Sequence, residues 1–247
     1  MNETRTGRPP VVAVIHATPA SVAPAAAALA EGYPEASVWN LLDDRLISDA
    51  EAAGGLTPAL ADRMLSLIAH AVHGGADAVL LACSLYGPVL EVARREHRLP
   101  MLSSDEELFA EVARGRFARV LLLGYLAPAV EDSVNRLTRL LAVTEGTERT
   151  QVIGHTSARA AEAVARDDLD ALEKSLTEAA IPYLDADAVV LGTFALSPAH
   201  TGVQSALGLP VLSAPLLAAC ALRERVAARA TRVHPGDTPE PVSTEVS

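Results

Sequence analysis

Two stretches of the chain carry residues that could do chemistry at matching places. "DAVLLACSLYGP" covers residues 77–88 and "DAVVLGTFALSP" covers 187–198. Each reads as an apolar strand running into a small-residue turn that ends at a proline. The first turn holds Cys83; the second holds Thr193 at the matching position. A thiol that follows a strand and opens a helix can transfer protons, because unpaired N–H groups there lower its pKa from about 8.5. A threonine hydroxyl donates and accepts hydrogen bonds but is no useful base near neutral pH. Free cysteine is also a common small core residue. That reading is preferred for Cys220, which lies in "LLAACALRERVA" on an apolar helical face.

The elements that must position these turns repeat as well. Asp77 and Asp187 are 110 residues apart, as are Leu99 of "LPMLSS" and Leu209 of "LPVLSA". Upstream, "VVAVIHATPA" (11–20) is similar to "VLLLGYLAPA" (120–129) at an offset of 109 between Pro19 and Pro128. Short apolar runs at 11–15, 36–40, 77–82 and 99–102 alternate with helical spacing over 57–73 and 104–115. The pattern returns with runs at 119–124, 151–154, 187–192 and 209–212 and helical spacing over 129–142 and 168–181. Near-continuous apolar strands alternating with helices predict mainly parallel sheets covered on both faces. The expected fold is α/β: two pseudo-symmetric domains from an internal duplication, 11–115 and 116–212, with a cleft between them. Ligands of such sheets bind at the carboxyl ends of the strands. Ala17-Thr18, Cys83-Ser84, Tyr125 and Thr193 fall there.

Composition narrows the function classes. The 247 residues carry a formal charge of −11, which disfavours nucleic acid and anionic membrane as partners. Half of the residues are hydrophobic but only 3% are aromatic, so the cores must be built from Ala, Val, Leu and Ile. No apolar run approaches the roughly 20 residues needed to span a bilayer, and the N-terminus lacks a signal-peptide core. A cytoplasmic location is expected. Two distant cysteines make no disulfide framework. Residues 1–10 and the Pro-rich, acidic 234–247 read as solvated, disordered tails.

The motifs "LLACSLYGP", "LLDDRL" (41–46), "LLLGYLAPA" (121–129) and "VVLGTFALSP" resemble those of the aspartate/glutamate/hydantoin racemase superfamily, which also includes arylmalonate decarboxylase and maleate isomerase. The opening "VIHATPASVAP" is similar to that of a branch of the same superfamily, and the resemblance runs from about residue 11 to about 230. It implies no cofactor, a site between the two domains, and a C-terminal helix (about 215–230) packed back on the first domain. Two-base racemases of this group carry a cysteine in each turn, on opposite faces of the substrate's α-carbon. Cys83 matches the first; Thr193 stands where the second would be.

Other candidates follow from position. Tyr125 ends the first strand of the second domain, in register with His16 of the first. It resembles the tyrosine that binds the carboxylate in the decarboxylase branch, and otherwise reads as a lid or interface aromatic. His16 has the unperturbed pKa of a second acid/base or is a satisfied structural histidine. Ser84, Thr193 and the adjoining Phe194 are expected to contact substrate, the hydroxyls also being ordinary helix caps. Thr18, before Pro19, reads as an N-cap that could touch substrate. Asp44, with Asp43, follows a strand end and could orient a neighbour or remain a solvated loop acid. His70 and His73 have a metal-compatible spacing without further ligands, so no metal site is expected. His155 and His200 are remote candidates.

A site with one thiol suits proton transfer beside the carboxylate of a small carboxylic or amino acid. Cys83 would be the acid/base, and both turns would hold the carboxylate. The expected activity is a cofactor-independent racemase or isomerase. A single-cysteine decarboxylase or lyase, and a non-catalytic carboxylate-binding protein, are the alternatives. A homo-oligomer is compatible with the helix-covered domains.

Overall fold

The computed structural model describes residues 8–232, so most of both expected tails lies outside the described residues. Eight strands form two parallel four-stranded sheets. The first contains β1 (Val11–His16), β2 (Ser37–Leu42), β3 (Ala78–Leu81) and β4 (Met101–Ser103), in the order β2-β1-β3-β4. The second contains β5 (Arg119–Gly124), β6 (Gln151–Thr156), β7 (Ala188–Leu191) and β8 (Val211–Ser213), in the order β6-β5-β7-β8. The helices of the first unit are α1 (Val22–Gly32), α2 (Leu46–Ala53), α3 (Pro58–His73), α4 (Leu90–Glu96) and α5 (Glu106–Gly115). They are followed by α6 (Ala127–Ala142), α7 (Ala158–Ala165), α8 (Leu169–Ala180), α9 (His200–Leu207) and α10 (Ala214–Arg232).

The repeated sequence windows do the same structural work in both sheets. Asp77 Oδ2 accepts the N–H of Val11 at 2.7 Å, and Asp187 Oδ2 accepts that of Arg119 at 2.9 Å, so each aspartate secures the start of a central strand. The carbonyls of Pro100 and Pro210 accept the N–H groups of Val79 and Val189. Ala82 donates to Ile15 as Gly192 donates to Leu123. These bonds set the strand lengths, and hence the places where both turns leave their sheets.

Side chains of the central strands alternate between two faces, as the period of 2 requires. Val12, Val14, Leu80, Leu122 and Val190 enter one core that spans both units and includes α1, α5, α6 and α10. Ala13, Ile15, Val79 and Leu81 point the other way, under α2 and α3. Leu121, Leu123, Val189 and Leu191 do so under α7–α9. Full burial of each such aliphatic side chain contributes about 1.5–3 kcal/mol.

Helix ends follow local chemistry. Thr57 Oγ1 accepts the N–H of Leu60 with Pro58 at the first position of α3. Asp168 Oδ1 caps α8 through Ala171 N–H at 3.0 Å. The last helix, α10, lies against α1 and α5, where Arg225 pairs with Glu106 and Glu107 and Arg223 with Glu35. Cys220 is exposed beside the buried Ala218 and Ala219, with its sulfur bordering Gly32 of α1. Among the described residues no helix is long and apolar enough to cross a membrane.

Candidate active site

The 84–89 and 194–199 segments are matching 3₁₀ turns, each entered through one extended residue at its N-cap, Cys83 in the first and Thr193 in the second. Both residues line one narrow space between the units, together with Ser84, Tyr125, Thr18 and Phe194. Six of the residues singled out from the sequence thus meet in one place. The free volume beside Cys83 is about 20 Å³, room for about one water. Beyond Tyr125 and Thr18 it gives way to a groove of about 660 Å³ between the helices of the two units. Tyr125, Thr18, Ile47 and Ala195 border both spaces.

The Cys83 turn is pinned from both sides. Tyr86, fully buried, donates its hydroxyl to the Leu46 carbonyl at 2.9 Å. Arg136 of α6 donates Nη2 to the Ser84 carbonyl at 3.1 Å and to Asp105 Oδ2 at 2.5 Å. Asp105 is 2% exposed and also accepts the Ser103 hydroxyl. Its charge is compensated by Arg136, which further pairs with Asp132 at 2.7 Å and stacks over Phe109.

The expectation of an acidified thiol is overturned. Burial pushes the Cys83 thiol up from 9.0 to about 11; the N–H groups of Leu85 and Tyr86 act against the rise and Asp105 adds to it. The turn does supply N–H groups to the sulfur, but desolvation outweighs them. At neutral pH Cys83 is therefore a protonated thiol. The Tyr125 phenol is also held above its ordinary value, chiefly by burial and then by the adjacent Cys83 and by Glu51.

Thr193 Oγ1 is a buried hydroxyl oxygen without a hydrogen-bond partner. A buried hydroxyl left unpaired costs about 1–3 kcal/mol. Thr18 Oγ1 accepts the N–H of Ala20 at 3.4 Å while its side chain lines the cleft, so it combines capping with access. Phe194 is wholly buried and contributes a wall.

Two candidates stand apart. His16 does not share register with Tyr125. The His16 carbonyl accepts Asp43 N–H where the Gly124 carbonyl accepts Ser157 N–H, so His16 corresponds to Gly124 and Tyr125 to Ala17. A shift of one residue turns a side chain to the opposite face. His16 is fully buried, with Nδ1 at 2.8 Å from Ser21 Oγ and Nε2 at 2.9 Å from Asn40 Oδ1. Nε2 faces the Asn40 carbonyl oxygen as a donor, while the Ser21 hydroxyl beside Nδ1 also has the Thr18 carbonyl as an acceptor at 2.9 Å. Burial, opposed by the Asn40 bond, lowers the His16 pKa and keeps the ring neutral. Asp44 is exposed and outside the cleft. Its neighbour Asp43 is engaged by Arg63 at 2.6 Å.

His70 lies against Trp39, His155 against Tyr183, and His200 bonds Ser213; none lines the cleft. No metal-binding cluster occurs among the described residues. Sequence reasoning missed Arg136, Tyr86 and Ile47, and the groove acids Glu51, Asp167 and Asp168. Arg136 carried a weak signal, an i,i+4 pair with Asp132, which is what exposed helices also show.

No family model matches the chain, and no curated protein sequence matches it. Solved structures do. Glutamate racemase from Francisella tularensis subsp. tularensis SCHU S4, determined with D-glutamate, is 14% identical, with 90% of this chain and 82% of that chain covered at a TM-score of 0.70. An aspartate racemase homologue from Pyrococcus horikoshii OT3 is 16% identical, with 89% and 99% covered and a TM-score of 0.66. Allantoin racemase from Klebsiella pneumoniae is 16% identical, with 89% of each chain covered and a TM-score of 0.61. The chain has the two-sheet α/β fold of the glutamate, aspartate and allantoin racemases.

Proposed function

We propose that the protein is a cofactor-independent enzyme of the racemase or isomerase type, transferring a proton beside the carboxylate of a small acid, with Cys83 as the transferring group. The observation that carries this reading is the pairing of the Cys83 thiol with the unpartnered Thr193 hydroxyl on one space between two matched turns. In the first step the thiolate form of Cys83, held by the N–H groups of Leu85 and Tyr86, takes the proton from the carbon next to the carboxylate, and the C–H electron pair passes into the enediolate. The Cys83 S–H so formed returns a proton to the same face, which gives exchange. Inversion takes its proton on the far face from a second donor, for which Tyr125 is the candidate in the cleft, and solvent then restores that donor. Thr193 donates to the carboxylate, whose oxygens gather charge in the enediolate.

The resting protonated thiol favours a second reading, a one-sided decarboxylase or lyase. There a carbon–carbon bond breaks, carbon dioxide leaves, and the electron pair on the α-carbon takes the Cys83 proton. Solvent supplies the next proton to the sulfur.

Solvent-deuterium incorporation at the α-carbon, followed by NMR over a panel of 2-substituted carboxylates and malonates, tests both. Incorporation that falls at least about a thousandfold in Cys83→Ala and stays near wild type in Cys220→Ala supports the reading; general acid–base groups contribute on the order of 10²–10⁴. Full incorporation in Cys83→Ala contradicts it. Binding without incorporation by the wild type would make the protein a carboxylate carrier.

A further inference from the structure

Resting on that reading, we infer that the substituent of the substrate that occupies the outer groove is apolar, uncharged or cationic, and that the groove takes no carboxylate. The groove adjoins the Cys83 space: Thr18, Ile47, Tyr125 and Ala195 border both. Its volume of about 660 Å³ falls in the range of small-molecule sites. Its walls come from both units and are mostly apolar: Pro24 and Ile47 on one side, Val164, Leu169 and Leu172 on the other. A substrate held by its carboxylate between the turns would thus extend its remaining atoms outward, across both units.

The charges decide what those atoms can be. The ionisable carboxyl groups on the groove are Glu51 of α2 and the adjacent Asp167 and Asp168 before α8. No lysine or arginine is among the described residues lining either the groove or the inner space. The inner carboxylate can be met by hydroxyl and N–H donors. A second carboxylate in the groove would face like charges with no compensating cation. An apolar chain meets matching walls instead, and an ammonium group at its far end meets opposite charge.

Three probes of equal chain length separate these cases: hexanoate, 6-aminohexanoate and adipate. Their dissociation constants would be measured by titration calorimetry at low ionic strength, since screening weakens exposed charges. Hexanoate is expected to bind at least tenfold tighter than adipate, equivalent to about 1.4 kcal/mol, and 6-aminohexanoate at least as tightly as hexanoate. In Glu51→Gln/Asp167→Asn/Asp168→Asn the gap between hexanoate and adipate should shrink below about threefold. Asparagine preserves both the cap at 168 and the left-handed backbone at 167, where φ is 53°. Adipate binding as tightly as hexanoate, an unchanged gap in the triple variant, or no saturable hexanoate binding overturns the inference. Cys83-dependent deuterium incorporation, measured separately, would leave the catalytic reading standing in any of those cases.

Discussion

Arg136, on a helix of the second unit, holds the carbonyl of Ser84, the residue directly after Cys83. One guanidinium thus ties the thiol-bearing turn of one unit to the framework of the other, and compensates buried Asp105 in doing so. The turn's position relative to Thr193 therefore depends on a residue that lies outside the cleft.

Removing that guanidinium leaves Asp105 buried and unpaired. Arg136→Ala should lower stability to denaturant by about 3 kcal/mol, the range for breaking one side of a buried pair. Arg136→Lys keeps the charge but loses the fork, and should recover part of the loss. A change under about 0.5 kcal/mol in Arg136→Ala would mean that the pair carries no structural weight.

Thr193 gives a sign test, because its hydroxyl is unpaired in the free protein. Thr193→Val keeps the shape and removes the unpaired group. Stability should stay level or rise by about 1 kcal/mol, while hexanoate binding weakens about tenfold. A clear loss of stability would show that the hydroxyl serves the fold. Thr193→Cys would set a thiol in each turn. The rate of inversion relative to the rate of deuterium exchange should then rise.

Much of this architecture was legible in the sequence. The eight apolar runs lie within one or two residues of the observed strands; β1, β3, β5 and β7 are the clearest because they are buried on both faces, whereas the edge strands β2 and β6 are largely exposed. The windows 110 residues apart keep Asp77 and Asp187 because each secures a strand start. Cys83, Ser84, Tyr125 and Thr193 could be placed because strand ends fix them.

What stayed hidden depends on packing. The similarity of 11–20 to 120–129 runs past the strand end by one residue, and the slip put His16 beside Tyr125, whereas its ring is folded back onto Ser21 and Asn40. A helix-start argument lowered the Cys83 pKa, but the balance between turn N–H groups and desolvation needs the surrounding atoms. Arg136 and Glu51 lie on helices, and Asp167 and Asp168 in the connection before α8, all with facing partners distant in the chain.

The central claim is that Cys83 is a buried, resting thiol on a carboxylate site, and its alkylation rate against pH tests that most directly. A Cys220→Ser background removes the exposed thiol. Because the thiolate is the nucleophile and burial raises the Cys83 pKa, alkylation should be slow at pH 7 and climb toward a midpoint near 11. Hexanoate should slow it further by occupying the cleft. A midpoint at or below about 8.5, with no protection by hexanoate, would contradict both the buried thiol and the carboxylate site.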